Sequence, residues 1–427
     1  MCTANRERVA RAVARAHEQE WAFVLAATIR VTRDLDLAED CVQDAYAQAL
    51  AHWTLSGIPA RPGAWLTTVA TRRALEQGQR GATLARKLPL LVTDALASGT
   101  GDVGEDAVFP DDRLRLIFTC CHPALGTDAQ LALTLRLVCG LTSAEVARAF
   151  LVREATMQAR ITRAKRKIAE ARIPYRAPGP HELPERVDAV LDVIHLLHTA
   201  GYTAAAGDGL VRHDLAARAL DLAATMRALL PDDAEVMGLL ALLRLTEARR
   251  PARVRPDGQL VLMADQDRAR WDQAAIAAGL TLLHAALARP PAGRYTIMAA
   301  IAAVHAEAVD WDATDWPQIV GLYDLLIRRW PSPVVALNRA VALSFAEGLP
   351  AALAALEGVA ADPALASYPY LASTRADLLR RLGRTDEAIA AYEEAIRLTG
   401  NAAEADFLSR RIAELRADAM GPMGAWP

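Results

Sequence analysis

Long apolar runs, alternating β-branched stretches and aromatic residues are all scarce in this 427-residue chain. No segment approaches the roughly 18 uncharged apolar residues of a membrane helix, so no span is expected. The stretch MCTANRERVARAVARAHEQEW carries charge throughout and offers no apolar core for a signal peptide. Aromatics make up 5 % of a sequence that is 53 % hydrophobic and rich in Ala and Leu. That balance favours packed helices over strands and predicts an all-α fold. The five cysteines (Cys2, Cys41, Cys120, Cys121 and Cys139) show no paired CxxC spacing, which fits reduced thiols in a cytoplasm. The cluster Cys120-Cys121-His122 lacks the second ligand pair of a zinc site, so no metal is expected. Adjacent Cys121 and His122 rarely reach nucleophile–base geometry, and no Gly-rich phosphate loop or paired-carboxylate motif occurs. Neither an enzyme nor a cofactor is expected.

Charge is plentiful and unevenly spread. The chain totals −3, but residues 1–176 carry +5 and residues 177–427 carry −8. One half suits a polyanion and the other does not. The excess peaks between Arg153 and Arg176, with eight Lys/Arg against two Asp/Glu. This run overlaps LTSAEVARAFLVREATMQARITRAKRKI, residues 141–168, which reads as two helices joined by a tight turn. Thr142 and Glu145 fit a capping box at the start of the first. Leu151 and Val152 make the turn, and the second opens near Arg153. Met157, Ile161, Ala164 and Ile168 form its buried stripe. Its other face carries Gln158, Arg160, Thr162, Arg163, Lys165, Arg166 and Lys167. Such a pair is either a helix-turn-helix reading a major groove or a solvated basic face on an ordinary hairpin.

Upstream, Trp21, Leu25 and Ile29 recur four apart as a core stripe. The segment LDLAEDCVQDAYAQALAHW predicts a helix from about Leu37 with Ala38, Cys41, Val42, Ala45 and Ala49 inward. Glu39, Asp40, Gln43, Asp44 and Gln48 fall mostly on the other side. An acidic face of this kind solubilises a helix or docks a basic partner. After a Pro/Gly break, GAWLTTVATRRALEQGQR predicts a helix presenting Thr68, Thr71, Arg72, Arg73 and Arg80. Trp65 at its start is a core residue or, beside exposed Thr and Arg, a stacking platform for partly unpaired DNA.

The acidic AED-x-VQDA helix, the WL-x-x-VA-x-RRA helix, a Gly- and acid-rich connection and a helix-turn-helix together resemble a bacterial sigma factor. The resemblance covers roughly residues 6–172 and is to the short extracytoplasmic-function type of the sigma-70 superfamily. DDRLRLIFTCCHPAL, residues 111–125, resembles the subgroup with a long C-terminal tetratricopeptide-like extension. The resemblance implies a region 2 domain at 6–80, a flexible linker at 81–110 and a region 4 helix-turn-helix domain at 111–176. It implies as partners core RNA polymerase, through its β′ clamp helices and β flap, and promoter DNA. Asp40, Gln43, Asp44 and Gln48 match the face that docks on the β′ clamp helices. Trp65, Thr68, Thr71, Arg72, Arg73 and Arg80 match the segment that melts and reads the −10 element. Gln158, Ala159, Arg160, Thr162 and Arg163, with Arg166 and Lys167 on the same helix, match the side facing the −35 element. The family usually continues RRA with Ile-Asp-x-x-Arg-Arg, whereas this chain has Leu75-Glu76-Gln77-Gly78-Gln79-Arg80. Gly78 weakens a helix by roughly 1 kcal/mol relative to Ala, and a basic residue or two is lost.

A Pro-rich hinge at 173–187 precedes an acidic helical half. Helices are expected at 185–199, 210–230, 233–249, 272–288, 292–307 and 316–329, with 254–272 as the least helical stretch. His195 and His198, three apart and without an acidic partner nearby in sequence, read as packed histidines. Gly348 and Gly383 lie 35 residues apart, each between two helical stretches. Gly383, Ala388, Tyr392 and Ala395 match the tetratricopeptide pattern. The extension therefore divides into a helical domain at 185–315 and tetratricopeptide-like repeats at 316–417, which brace the fold or bind a protein or small-molecule ligand. The expected protein is a cytoplasmic, nucleoid-associated initiation factor; the alternative is a stand-alone helix-turn-helix regulator with a repeat-based sensor.

Overall fold

A computed structural model describes residues 2–87, 112–150, 152–176, 178–179, 181–203, 209–255, 261–400 and 402–420. Among them the fold is helical without a sheet. None of the described helices is long and apolar enough to cross a membrane. The chain divides into two compact units, residues 1–196 and 197–427.

The first unit is built on α1 (Cys2–Thr32), which packs against α2 (Leu35–Ser56), α3 (Pro62–Lys87) and α4 (Asp112–Cys120). Trp21, Leu25 and Ile29 are buried along α1, as their spacing predicts. Asp34 caps α2 by accepting the Leu37 amide at 2.8 Å. The helix α3 runs past Arg80 and through Gly78 to Lys87. Residues 88–111, most of the expected linker, lie outside the described residues. Beyond α4 come α5 (Thr127–Leu133), a π-type turn (Thr134–Val138), α6 (Ser143–Ala149), α7 (Glu154–Glu170) and α8 (Leu183–Thr203). The boundary between the units falls inside α8.

In the second unit α9 (Gly209–Leu229) leads to α10 (Ala234–Glu247), whose residues Val236 to Leu243 are all buried. A helix that is apolar on every side needs neighbours on every side. The central α10 has them in α9, α12 (Gln273–Leu287) and α13 (Arg294–Glu307). A short α11 (Arg250–Arg253) precedes the stretch expected to be least helical, which holds two 3₁₀ turns and of which residues 256–260 lie outside the described residues. Then α14 (Trp316–Arg329), α15 (Pro333–Ala346), α16 (Leu349–Ala360), α17 (Pro369–Arg381), α18 (Thr385–Leu398) and α19 (Ala402–Met420) each pack on the next. Gly348 and Gly383 sit in the turns with φ of 100° and 75°, a conformation that side-chain-bearing residues rarely adopt. Ala388, Tyr392 and Ala395 are buried against Ala372, Ala376 and Leu379, where small side chains let the helices approach closely.

His198 departs from the sequence reading. It does have an acidic partner, brought from far along the chain: its Nε2 lies 2.9 Å from Glu247 Oε1, and Arg250 holds the other carboxylate oxygen. Burial alone would raise the Glu247 carboxyl, but the hydrogen bonds from His198 and Arg250 outweigh it and hold the group at about 2. A carboxyl held below its ordinary value stabilises the fold fully above about pH 4.5, and that stabilisation is lost as pH falls towards about 2. Replacing Glu247 by Gln should therefore cost about 2 kcal/mol at pH 7, allowing for its partly solvated edge. Urea unfolding of wild type and variant checks this: the gap should narrow below about pH 4.5 and close near pH 2, and equal stability at pH 7 would contradict it.

Candidate nucleic-acid interface

The helix-turn-helix stretch folds as its pattern requires. Thr142 N donates to Glu145 Oε2 at 2.7 Å and Glu145 N donates to Thr142 Oγ1 at 3.2 Å, completing the capping box. On α7, Met157, Ile161, Ala164 and Ile168 are buried. Gln158, Ala159, Thr162, Arg163, Arg166 and Lys167 are exposed, and Arg160 is half-buried. Three of these side chains already have acidic partners. Gln158 donates to Glu154 at 3.0 Å, Arg166 pairs with Glu170 at 2.6 Å, and Arg160 pairs with Asp128 at 3.2 Å. The Arg160 guanidinium also lies 5.6 Å from the centre of the Phe150 ring. Solvent-exposed pairs of this kind contribute at most about 1 kcal/mol, so a phosphate or base edge can displace them.

On α3, Trp65 is half-buried against His52 and Trp53, with ring centroids 5.5 Å away in each case. Thr68 is exposed and Thr71 half-buried, and their hydroxyls donate to Ala64 O and Thr67 O of the same helix. Arg72 is exposed and pairs with Glu76 at 3.1 Å. Arg73 pairs with Asp44 of α2 at 3.1 Å, which joins two surfaces read separately from sequence. Arg80 belongs to α3, but its side chain falls outside those described. Asp40, Gln43 and Gln48 of α2 face solvent and Asp44 is half-buried.

Two charged residues are not where the helical pattern placed them. Glu39 was expected on the exposed side of α2, and it is 4 % exposed. Lys165 was expected on the basic face of α7, and it turns towards α2. There its ammonium contacts Glu39 Oε2 and lies 2.6 Å from Asp36 Oδ1. Arg136, from the π-type turn, brings a guanidinium nitrogen 2.5 Å from Glu39 Oε1, an ion contact without the angle of a hydrogen bond. Burial pulls the Lys165 pKa down, but Glu39 and the hydrogen bonds to both carboxylates outweigh it and leave the ammonium above its usual range. The cause is that α2 is covered on two sides. Glu39 shares a face with Val42, Tyr46 and Trp53 at helical spacing, and all four are buried. That second stripe was visible in the sequence, and it was the signal that could have found Glu39.

Around this triad the same surfaces meet elsewhere. Trp21 Nε1 donates to Leu137 O at 3.0 Å, Tyr175 Oη to Ala26 O at 3.1 Å, and Arg30 pairs with Asp112 at 3.4 Å. Gly140 has φ of 71°, and a Cβ there would sit 2.9 Å from the Trp21 ring. Only glycine satisfies both the turn and the close approach.

The Cys120–His122 cluster makes different contacts from those a nucleophile would need. Cys121 Sγ lies 3.5 Å from the Thr134 hydroxyl, and His122 Nδ1 accepts the Ala124 amide at 3.1 Å. Burial pushes the Cys121 thiol up to about 12 and raises Cys120 as well. Both thiols are protonated at neutral pH and behave as small core residues.

Comparison with known proteins assigns three segments of the chain to families. Residues 18–81 match the family described as sigma-70 region 2, and residues 115–168 match sigma-70 region 4. Residues 186–287 match a family of unknown function. An uncharacterized protein of Rhizobium meliloti (strain 1021) is 41 % identical over 397 residues, covering 92 % of this chain and 93 % of that protein. With region 2 and region 4 in that order on one helical chain, the protein belongs to the sigma-70 family of RNA polymerase sigma factors, transcription initiation factors that bind core polymerase and promoter DNA.

Proposed function

We propose that the chain is an extracytoplasmic-function sigma factor whose C-terminal extension supports promoter recognition. The observation that carries this reading is the open basic face of α7, lying within the region 4 match and on the same chain as a region 2 match. Residues 6–80 serve polymerase docking and the −10 element, and residues 111–176 read the −35 element. Asp40, Gln43, Asp44 and Gln48 dock on the β′ clamp helices. Trp65, Thr68, Thr71, Arg72, Arg73 and Arg80 engage the −10 element, Trp65 by stacking once a base is unpaired. Gln158, Ala159, Arg160, Thr162, Arg163, Arg166 and Lys167 meet the −35 major groove and its phosphates. The β flap is the partner for the region 4 segment, and the protein works in the cytoplasm, on the nucleoid. The 185–315 domain and the tetratricopeptide-like repeats at 316–417 keep these parts competent and take a protein or small-molecule ligand. The relative carries the extension as well, over essentially its whole length.

Two variants test the assignment of faces. Arg160→Ala should weaken binding to the preferred promoter by about 1–3 kcal/mol and relax sequence choice there. Lys167→Ala should weaken all sequences alike and reduce the salt slope by about one. Gel-shift titrations against matched and scrambled −35 sequences check this, and an equal loss of discrimination from both variants would contradict it. Replacing Asp40 and Asp44 together by Lys should abolish copurification with core polymerase. The Arg73–Asp44 pair lost with it is partly solvated and contributes at most about 1 kcal/mol, so the circular dichroism spectrum should stay helical. Wild-type holoenzyme assembly by that variant would show the acidic face to be a solubility feature.

A further inference from the structure

The helix α19 has two working faces. Leu408, Ile412 and Leu415 are buried in the core that it shares with α17 and α18. Phe407, Arg410, Arg411 and Glu414 recur at helical spacing and form a second stripe. That stripe lines one wall of a cavity of about 220 Å³, and Arg255, Val261, Leu262 and Asp265 line the other. The second wall is fastened where the Val261 amide donates to Arg253 O at 2.8 Å. Both walls lie within the second unit. The cavity far exceeds the roughly 15 Å³ that holds one water, and it is smaller than the roughly 300 Å³ at which drug-sized sites begin. Its size suits a small metabolite.

The charges in the walls narrow the chemistry. Arg411 is committed: its Nη1 donates to Glu414 Oε2 at 2.8 Å, and its guanidinium lies 5.3 Å from the centre of the Phe407 ring. Arg410 is only half committed. Its Nη2 pairs with Asp406 at 3.3 Å, while its buried Nε has no hydrogen-bond partner among the described residues. Arg255 and Asp265 are exposed and have no ion pair among the described residues. Two guanidinium groups and one carboxylate are therefore open to a ligand. A simple carboxylate would meet the like charge of Asp265, and a simple amine would meet Arg255 and Arg410. A zwitterion satisfies both signs. We propose that this cavity binds a free apolar α-amino acid, with its carboxylate on Arg255 and Arg410, its ammonium on Asp265 and its side chain against Phe407, Val261 and Leu262. Guanidinium forks suit a carboxylate, and the apolar residues supply a surface for an aliphatic or aromatic side chain. The inference deepens the reading that the extension takes a ligand, and rests on it. A molecule bound there bridges the 185–315 domain and the last helix of the repeats.

Isothermal titration of the full chain with L-leucine and with L-phenylalanine tests this. At least one should bind with a Kd of about 10 μM to 1 mM, a range open to a ligand of this size. For leucine, 4-methylpentanoate lacks the ammonium and 3-methylbutylamine lacks the carboxylate; each should bind at least about tenfold more weakly. Arg255→Gln and Asp265→Asn should each weaken the amino acid by about tenfold, and Asp265→Asn should also narrow the preference over 4-methylpentanoate. Both side chains are exposed, so the variants should keep the helical circular dichroism spectrum. Phe407→Ala should weaken binding too, but it also touches the core, so the two exposed variants decide. No binding of either amino acid overturns the proposal. So does 4-methylpentanoate or 3-methylbutylamine binding as tightly as leucine, or unchanged affinity in both exposed variants. Silent titrations leave the extension open to a protein ligand. Failure of promoter-directed transcription counts against the sigma-factor reading instead, and the titrations still decide the cavity.

Discussion

A carboxylate taken out of water must be met by positive charge, and in the first unit that constraint falls on Glu39. Its side chain is 5 % exposed, with Lys165 at one oxygen and Arg136 at the other. Leaving a buried charge without its partner costs on the order of 3–5 kcal/mol. The position of α7 against α2 is therefore fixed by electrostatics as well as by apolar contact. Around it, Trp21, Gly140 and Tyr175 fit the same seam with hydrogen bonds and close packing. An ion triad at a seam differs from an apolar seam in one respect. It demands one register, and it can exchange partners when another charged surface arrives.

The charged groups at the candidate interface behave differently, because they are wet. Arg72, Arg73, Arg160 and Arg166 all pair with acids at the surface, where such pairs are worth little and salt weakens them further. These pairs keep the basic faces quiet without locking them. Phosphate, which offers a denser array of negative charge, replaces the acids at small cost. Buried and exposed ion pairs thus differ in what they do: one sets the arrangement of helices, and the others, on the proposed reading, are held in readiness for nucleic acid.

The all-α class, the capping box at Thr142 and the buried stripe of α7 were legible in the sequence, because each depends on residues within one or two turns of each other. Most helix limits in the second unit were legible for the same reason. Tertiary partners were not. His198 finds Glu247 49 positions away, and Lys165 finds Glu39 126 positions away; periodicity carries no information about such pairs. Glu39 misled because an acid on an amphipathic helix ordinarily faces water, while α2 has two neighbours and hence two buried faces. Family resemblance identified the region 2 and region 4 segments from short motifs, AED-x-VQDA and WL-x-x-VA-x-RRA among them. It was silent on how those segments pack in the free protein.

Every role proposed for these helices depends on initiation by core polymerase. Run-off transcription with purified core enzyme, this protein and fragmented genomic DNA from its own source tests that most directly. Discrete transcripts that require the protein, and start at sites sharing one −35 and one −10 sequence, are the predicted result. Sequence-specific DNA binding with no transcripts and no association with core polymerase would contradict it and leave a stand-alone helix-turn-helix regulator.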